Sequence, residues 1–460
     1  MREPQAQAGG RPLSAGIWLC VALALAGAAL APALAGASSG PALQTSIAGP
    51  LVGHAPDLPA QIDISGSVSA NTAALDRKSL RKRLRKLVKR AGSATGVVVT
   101  DLGGKSGKQL FAKRPDSRRV LASNQKLFTT ATALDRFGAD KRLVTRVYRK
   151  GAVTNGKLKG GLYLVGNGDP AFSSRNFAGA RGLPHTPIAK LAKRIAGAGI
   201  ERISGPIRAD DTIYDRRRGV PDSGWAYSPF IGGRLGGLTY NGAQRTGDPA
   251  RAAARALRKA LRKNGVEVVG DVTSAKAPRK VLGRSPTAKV RSRKLADLVA
   301  PTNKFSNNFY AEMLLKRIGA AGGKGTTNRG AKAVERFARK QGARVQAVDG
   351  SGLTRTNRAT PTHVVRLLAA MRKHSAAAEF DASLSIAGRD GTLAGRMQGT
   401  PAAESCRGKT GTLTGVSALS GYCDSGNDVV AFSILMNDTE LTKARKLQDQ
   451  MVAAIARYRR

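Results

Sequence analysis

Leu121-Ala122-Ser123-Asn124-Gln125-Lys126-Leu127 is the stretch on which the reading of this chain turns. Upstream, Gly96-Val97-Val98-Val99-Thr100 has the composition of a buried strand. Asp101-Leu102-Gly103-Gly104 supplies turn chemistry, and Gln109-Leu110-Phe111-Ala112 reads as the return strand. Downstream, residues 127–137 read as a helix, with Ser123 or Asn124 as its N-cap. Ser123 and Lys126 are three apart and so share one helix face. A serine hydroxyl is a poor nucleophile at neutral pH and needs a neighbouring base. Lysine serves when it is partly neutral, and burial or a nearby second cation lowers its pKa by disfavouring the charged form. The pair therefore asks for a dry site with another cation. Backbone N–H groups at the start of the helix would favour an oxyanion there.

The spacing alone is weak, because Ser79-Leu80-Arg81-Lys82 repeats it within a run of charges. Two further triplets strengthen it. Ser306-Asn307-Asn308 opens a helical segment: Ser306 is placed to relay a proton, and Asn308 to hold a substrate amide. The competing reading of Ser306 is a helix cap. S-x-N also occurs at Ser69-Ala70-Asn71, Ser174-Arg175-Asn176 and Ser425-Gly426-Asn427. The third triplet is Lys409-Thr410-Gly411, followed by Thr412. Lys409 offers the second cation, Thr410 a hydroxyl for a substrate carboxylate, and Gly411 room for a substrate backbone. Thr412 offers a backbone N–H to an oxyanion hole beside that of Ser123. The order S-x-x-K, S-x-N, K-T-G, each in the right kind of element, is much less probable by chance than any single match. It is the motif set of β-lactamases and penicillin-binding proteins.

Longer matches make the likeness specific. They include Ala122-Ser123-Asn124-Gln125-Lys126-Leu127, Leu162-Tyr163-Leu164-Val165-Gly166-Asn167-Gly168-Asp169-Pro170 and Asp349-Gly350-Ser351-Gly352-Leu353. Ala387-Gly388-Arg389-Asp390-Gly391-Thr392-Leu393 and Lys409-Thr410-Gly411-Thr412-Leu413-Thr414-Gly415-Val416 complete them. On these stretches the sequence resembles, from about residue 75 to 458, the D-alanyl-D-alanine carboxypeptidase/endopeptidase family: the low-molecular-mass class C penicillin-binding proteins, peptidase family S13. The resemblance implies an α+β penicillin-binding, β-lactamase-like serine transpeptidase fold, with an antiparallel sheet flanked by helices. It implies a discontinuous peptidase domain, 75–144 and 289–460, interrupted by a mainly β insertion at 145–288. The 183 positions between Ser123 and Ser306 exceed what a direct helix-to-helix link requires.

By the same likeness, Ser123 attacks the D-Ala-D-Ala carbonyl, Lys126 is the general base and Ser306 assists proton transfer. Asn308, Lys409 and Thr410 bind substrate or penicillin, and Thr412 contributes a backbone donor. The implied partners are peptidoglycan stem peptides ending in D-Ala-D-Ala, with β-lactams as inhibitors. No cofactor is implied. Asp349-Gly350-Ser351-Gly352 reads most simply as a tight turn, and Arg389-Asp390-Gly391-Thr392 as a helix cap or part of the cleft wall. Neither is given a direct catalytic role.

The segment 406–423 reads as a hairpin. If Thr414-Gly415 forms its two-residue turn, Leu413 faces Val416, and seven steps further out Cys406 faces Cys423. That pair falls at a non-hydrogen-bonded position, where Cα atoms lie about 4.5 Å apart, within reach of a disulfide. The expectation is a cross-strand disulfide bracing the Lys409 strand, provided the compartment is oxidising.

The N-terminus points to such a compartment. Arg2 and Arg11, an apolar run over 17–30 and the small-residue pattern Ala33-Leu34-Ala35 read as a signal peptide, 1–35, cut after Ala35. Cys20 lies in the apolar run, and bulky Leu19 argues against lipid attachment there. A flexible leader, 36–74, follows. Export places the protein in the bacterial envelope or outside the cell. The 460-residue chain carries a formal charge of +47, which implies anionic surroundings. In this context anionic wall polymers fit. Nucleic acid does not, since aromatic residues are 5% and no nucleic-acid motif occurs. The segment 78–90 is a basic helix with apolar residues at 80, 84, 87 and 88, read as packing on the sheet with a solvated charged face.

Rival readings are weaker. A class A β-lactamase would carry a Glu that directs the deacylating water, and no E-x-x-L-N context occurs in the sequence. A non-catalytic wall-binding protein needs no intact triplets. His54, His185, His363 and His374 lack ligand spacing, so no metal is expected.

Overall fold

The computed structural model describes residues 73–104, 107–244, 246–426 and 428–459. The expected signal peptide, its cleavage after Ala35, Cys20 and the leader up to residue 72 lie outside the described residues. Among the described residues no helix is long and apolar enough to cross a membrane.

Helix α1 (Arg77–Arg90) precedes strands β1 (Thr95–Asp101) and β2 (Lys108–Lys113), and α2 (Gln125–Phe137) follows. Next come β3 (Val144–Lys150), β4 (Gly161–Val165), α3 (Ile188–Ala196), β5 (Ile207–Asp210), α4 (Pro249–Arg262), β6 (Val272–Ser274) and β7 (Ala288–Arg291). The longer helices that follow are α5 (Leu295–Lys304), α6 (Asn308–Ala320), α7 (Thr327–Lys340) and α8 (Pro361–Arg372). The chain closes with β8 (Ser385–Ile386), β9 (Cys406–Leu413), β10 (Val416–Ser425), β11 (Asp428–Asn437) and α9 (Leu441–Ala456).

The main sheet has the order β8-β9-β10-β11-β1-β2, with every neighbour antiparallel. Alternate residues of a strand point to opposite faces, and both faces here are apolar. Val98, Ala418, Tyr422, Ala431 and Leu435 pack with Leu127 and Phe128 of α2, and with residues of α6, α7 and α8. On the other face, Val97, Val99 and Ile434 pack with Leu80 and Leu84 of α1 and with Leu447, Met451 and Ile455 of α9. The result is a helix–sheet–helix sandwich. Leu80, Leu84, Leu87 and Val88 are the buried stripe of α1, each contributing about 2 kcal/mol at most by area.

Between α2 and α5, a second sheet has the order β6-β5-β4-β3-β7. Its β6, β5 and β4 are parallel neighbours, while β3 and β7 are antiparallel. Parallel neighbours need crossover connections, and α3 and α4 lie in them. Leu191, Ile195, Leu257 and Leu261 of those helices share an apolar cluster with Val147, Leu162, Leu164 and Ile207. This region is thus a mixture of helix and sheet rather than mainly β.

Candidate active site

Ser123 lies in a 3₁₀ turn, Ala122–Asn124, that runs into α2. Asn124 precedes the helix but makes no side-chain cap bond. Its Nδ2 donates instead to the Lys409 carbonyl at 2.9 Å, tying α2 to β9. Gly411 is the point of closest approach. A Cβ there would lie 2.8 Å from the Leu121 carbonyl oxygen and 3.1 Å from the Ser123 nitrogen. Only glycine lets the strand come this near without a shift.

Lys126 is fully buried. Its Nζ lies 2.8 Å from Ser123 Oγ, 2.6 Å from Asn308 Oδ1 and 2.7 Å from the Ser351 carbonyl oxygen. Burial lowers its pKa to about 7, against the opposing pull of Asp349 and Glu312. The sequence assigned part of that lowering to Lys409. In the fold, burial is the leading cause, and it also holds Lys409 well below its ordinary value, with repulsion from Lys126 adding to it.

Carboxamide and carbonyl oxygens only accept hydrogen bonds. The two N–H groups of a neutral Lys126 amine are therefore committed to Asn308 Oδ1 and the Ser351 carbonyl. The nitrogen lone pair is left for the Ser123 hydroxyl proton. This is the geometry of a general base.

The Asp349-Gly350-Ser351-Gly352 turn is the support beneath Lys126. Asp349 Oδ1 accepts from Gly352 N at 2.7 Å, and its Oδ2 from Thr354 N at 2.7 Å. Gly352 has φ 85° and sits against Ala122, where a Cβ would be 1.8 Å from the carbonyl oxygen. Read from sequence as a simple tight turn, this segment also presents the Ser351 carbonyl to Lys126.

Asn308 stands differently from the expectation of a free amide-binding group. Its Oδ1 accepts from Lys126, and its Nδ2 donates to the Phe230 carbonyl at 2.7 Å. The cap of α6 is Asn307, whose side chain accepts from Tyr310 N, so Ser306 is not the cap. Ser306 has a left-handed φ of 55° and lines the same cavity as Ser123.

That cavity, of about 540 Å³, is also lined by Thr392, Thr410, Thr412 and Arg445. Thr410 Oγ1 donates to Thr392 Oγ1 at 2.8 Å, which puts the Arg389-Asp390-Gly391-Thr392 segment on the cleft wall. Lys409 is fully buried behind it, with Nζ donating to the Thr410 carbonyl at 2.7 Å. Thr412 pairs with Ser417, one step from the turn-closing Leu413–Val416 pair. At that non-hydrogen-bonded position its N–H points away from β10, towards the free edge of β9. A larger cleft of about 940 Å³, lined by Arg83, Lys446 and Arg457 among others, contains no nucleophile–base pair. Chemistry, not size, identifies the site.

Two arginines line the Ser123 cavity. Arg396 is paired with Asp449, with Nε at 3.0 Å and Nη2 at 2.6 Å from Oδ1. Arg445 has no carboxylate partner among the described residues, and its Nη2 reaches Thr412 Oγ1 at 3.5 Å. Cys406 and Cys423 face each other across β9 and β10 and form a disulfide with a Cα separation of 4.0 Å. Sequence reasoning missed Glu312, the Ser351 carbonyl, Phe230 and Arg445. The one available signal was an acidic residue one helical turn after Asn308, on a buried face.

A family model described as the D-Ala-D-Ala carboxypeptidase 3 (S13) family matches residues 77–230 and 237–458. A D-alanyl-D-alanine carboxypeptidase of Actinomadura sp. (strain R39) is 31% identical over 453 residues, covering 80% of this chain and 82% of the relative. The carboxypeptidase DacB of Mycolicibacterium smegmatis is 29% identical over 361 residues, covering 73% and 74%. Among solved structures, penicillin-binding protein 4 (dacB) of Haemophilus influenzae superposes with a TM-score of 0.68 at 21% identity, covering 82% of this chain and 99% of that one. A predatory peptidoglycan endopeptidase of Bdellovibrio bacteriovorus gives 0.51 at 20% identity, covering 76% and 87%. These likenesses bear on the fold.

Proposed function

The chain belongs to the D-Ala-D-Ala carboxypeptidase (S13) family, and from that premise we propose that it cleaves the terminal D-Ala-D-Ala bond of peptidoglycan stem peptides through a Ser123 acyl-enzyme. The observation that carries this is the committed geometry of Lys126. With both N–H groups taken, its lone pair faces Ser123 Oγ at 2.8 Å. Neutral Lys126 takes the Ser123 proton as Oγ attacks the carbonyl of the penultimate D-Ala. The N–H groups of Ser123 and Thr412 hold the oxyanion. The proton passes by way of Lys126 and Ser306 to the leaving nitrogen, D-alanine departs, and water resolves the acyl-enzyme. Thr410 and Arg445 receive the terminal carboxylate, while Lys409 supports the Thr410 strand from behind.

Penicillins acylate the same serine. A fluorescent penicillin is expected to label the wild type and not Ser123→Ala. Equal labelling of the variant would overturn the assignment. Endopeptidase action on cross-linked stems is compatible with the same chemistry and is read from the products of purified wall.

Within this reading, 75–144 and 289–460 form the peptidase domain and 145–288 its insertion. The exposed face of α1 carries nine Lys and Arg residues and no acidic one, which supports retention of the exported protein on anionic wall polymers. Such retention weakens steeply with salt, and retention indifferent to ionic strength would count against it.

A further inference from the structure

Glu312 lies on α6, one helical turn after Asn308, and is fully buried. Its Oε1 accepts two backbone bonds, from Gly350 N at 3.0 Å and from Ser351 N at 2.7 Å. Its Oε2 is buried and has no partner among the described residues. Few places are costlier for a carboxyl group. The two amides it holds belong to the peptide units on either side of Gly350, and the next carbonyl along is that of Ser351, which accepts from Lys126 Nζ at 2.7 Å. The turn is clamped from other sides as well. Thr129 Oγ1, on the Lys126 helix, donates to the Gly350 carbonyl at 2.8 Å. A Cβ on Gly350 would be 2.6 Å from the Ala311 carbonyl oxygen, so the turn lies directly on α6.

We propose that Glu312 is a positioning residue for the lysine base: by holding the Gly350 and Ser351 amides, it fixes the Ser351 carbonyl on Lys126 and so aims the Lys126 lone pair at Ser123. This rests on the assignment of Ser123 and Lys126 above. Without the clamp, the Ser351 carbonyl is free to turn, Lys126 recovers a free N–H, and the lone pair loses its fixed direction.

The charged groups around Glu312 are Asp349 and Lys126, with Lys316 one turn further along α6 and paired to Asp215. Burial and repulsion by Asp349 push the Glu312 carboxyl up to about 8, above the value of about 7 that burial gives Lys126. Glu312 is therefore largely neutral where the base titrates, and it acts on Lys126 through the direction of its hydrogen bonds. Glu312→Gln keeps both the acceptor and the charge state of the site.

The test measures the rate of Ser123 acylation by a fluorescent penicillin against pH, for wild type, Glu312→Gln and Glu312→Leu. Glu312→Gln keeps a carboxamide oxygen for the two amides. It is expected to acylate within about tenfold of wild type, with its acid limb close to that of wild type. Glu312→Leu removes the acceptor at similar volume and is expected to lose about 100-fold in acylation rate, the scale of a misplaced catalytic group. Glu312→Leu acylating at the wild-type rate, or Glu312→Gln losing as much as Glu312→Leu, overturns the proposal. If Glu312→Leu fails to fold, Glu312→Met, which also lacks the acceptor, takes its place in the comparison with Glu312→Gln. A wild type that does not label at Ser123 overturns the reading of the site itself, whereas a labelled wild type with unaltered variants overturns only the role of Glu312.

Discussion

The Asn308 carboxamide donates to the Phe230 carbonyl at 2.7 Å, joining the start of α6 to the segment between β5 and α4. The same side chain accepts from Lys126 through Oδ1. That segment therefore reaches Lys126 through one amide. Asn308→Ala removes an acceptor from Lys126 and the tie to Phe230 together. Its expected effect is a loss of about 100-fold in the rate of penicillin acylation, with Asn308→Asp failing to restore it because a carboxylate would hold Lys126 protonated. Acylation kinetics of the two variants check both points.

The pH dependence follows from Lys126. Its pKa is lowered to about 7 by burial, and the active base is the neutral amine. Acylation is expected to be slow below this value, to rise through it and to level off above it. A rate that falls between pH 6 and about 8 has the wrong sign for a lysine base. Second-order acylation rates across that range settle it.

Gly411→Ala places a Cβ 3.1 Å from the Ser123 nitrogen and 2.8 Å from the Leu121 carbonyl oxygen. The strand must move away from the nucleophile, which opens the oxyanion hole between Ser123 and Thr412. About 100-fold is expected to be lost from kcat/KM, together with about 1–3 kcal/mol of stability because the clash is with backbone. Steady-state release of D-alanine and a denaturation curve distinguish the two effects.

Arg445 is the cation on the cavity wall that no described carboxylate neutralises, in contrast to Arg396 with its Asp449. Arg445→Gln is expected to raise KM for a stem peptide with a free terminal carboxylate by about tenfold, a value within the range of charged hydrogen bonds. Its kcat should stay near wild type. A peptide amide, which lacks the terminal charge, should not distinguish the two proteins.

The Cys406–Cys423 disulfide closes a loop with a sequence separation of 17. Replacing both cysteines by serine is expected to cost about 3 kcal/mol of stability, the scale for a loop of this size. Denaturant unfolding of the double variant measures the loss. Acylation by penicillin should survive at temperatures where the variant remains folded.

The sequence by itself singled out Ser123, Lys126 and the Lys409 strand, which the fold brings together, because S-x-x-K and K-T-G are local patterns with local geometry. It also determined the partner of Cys406, since antiparallel register propagates from a two-residue turn without further information. It carried the Ser123–Lys126 spacing equally well at Ser79–Lys82, which lies on the exposed basic face of α1, so spacing alone does not make a site. What only the tertiary structure decided is the environment of Lys126. Its burial, the Ser351 carbonyl beneath it and the Glu312 clamp arise from segments 182 to 225 residues away from it along the chain. Desolvation and the direction of a lone pair depend on what surrounds an atom in space, and no local pattern in the chain encodes that.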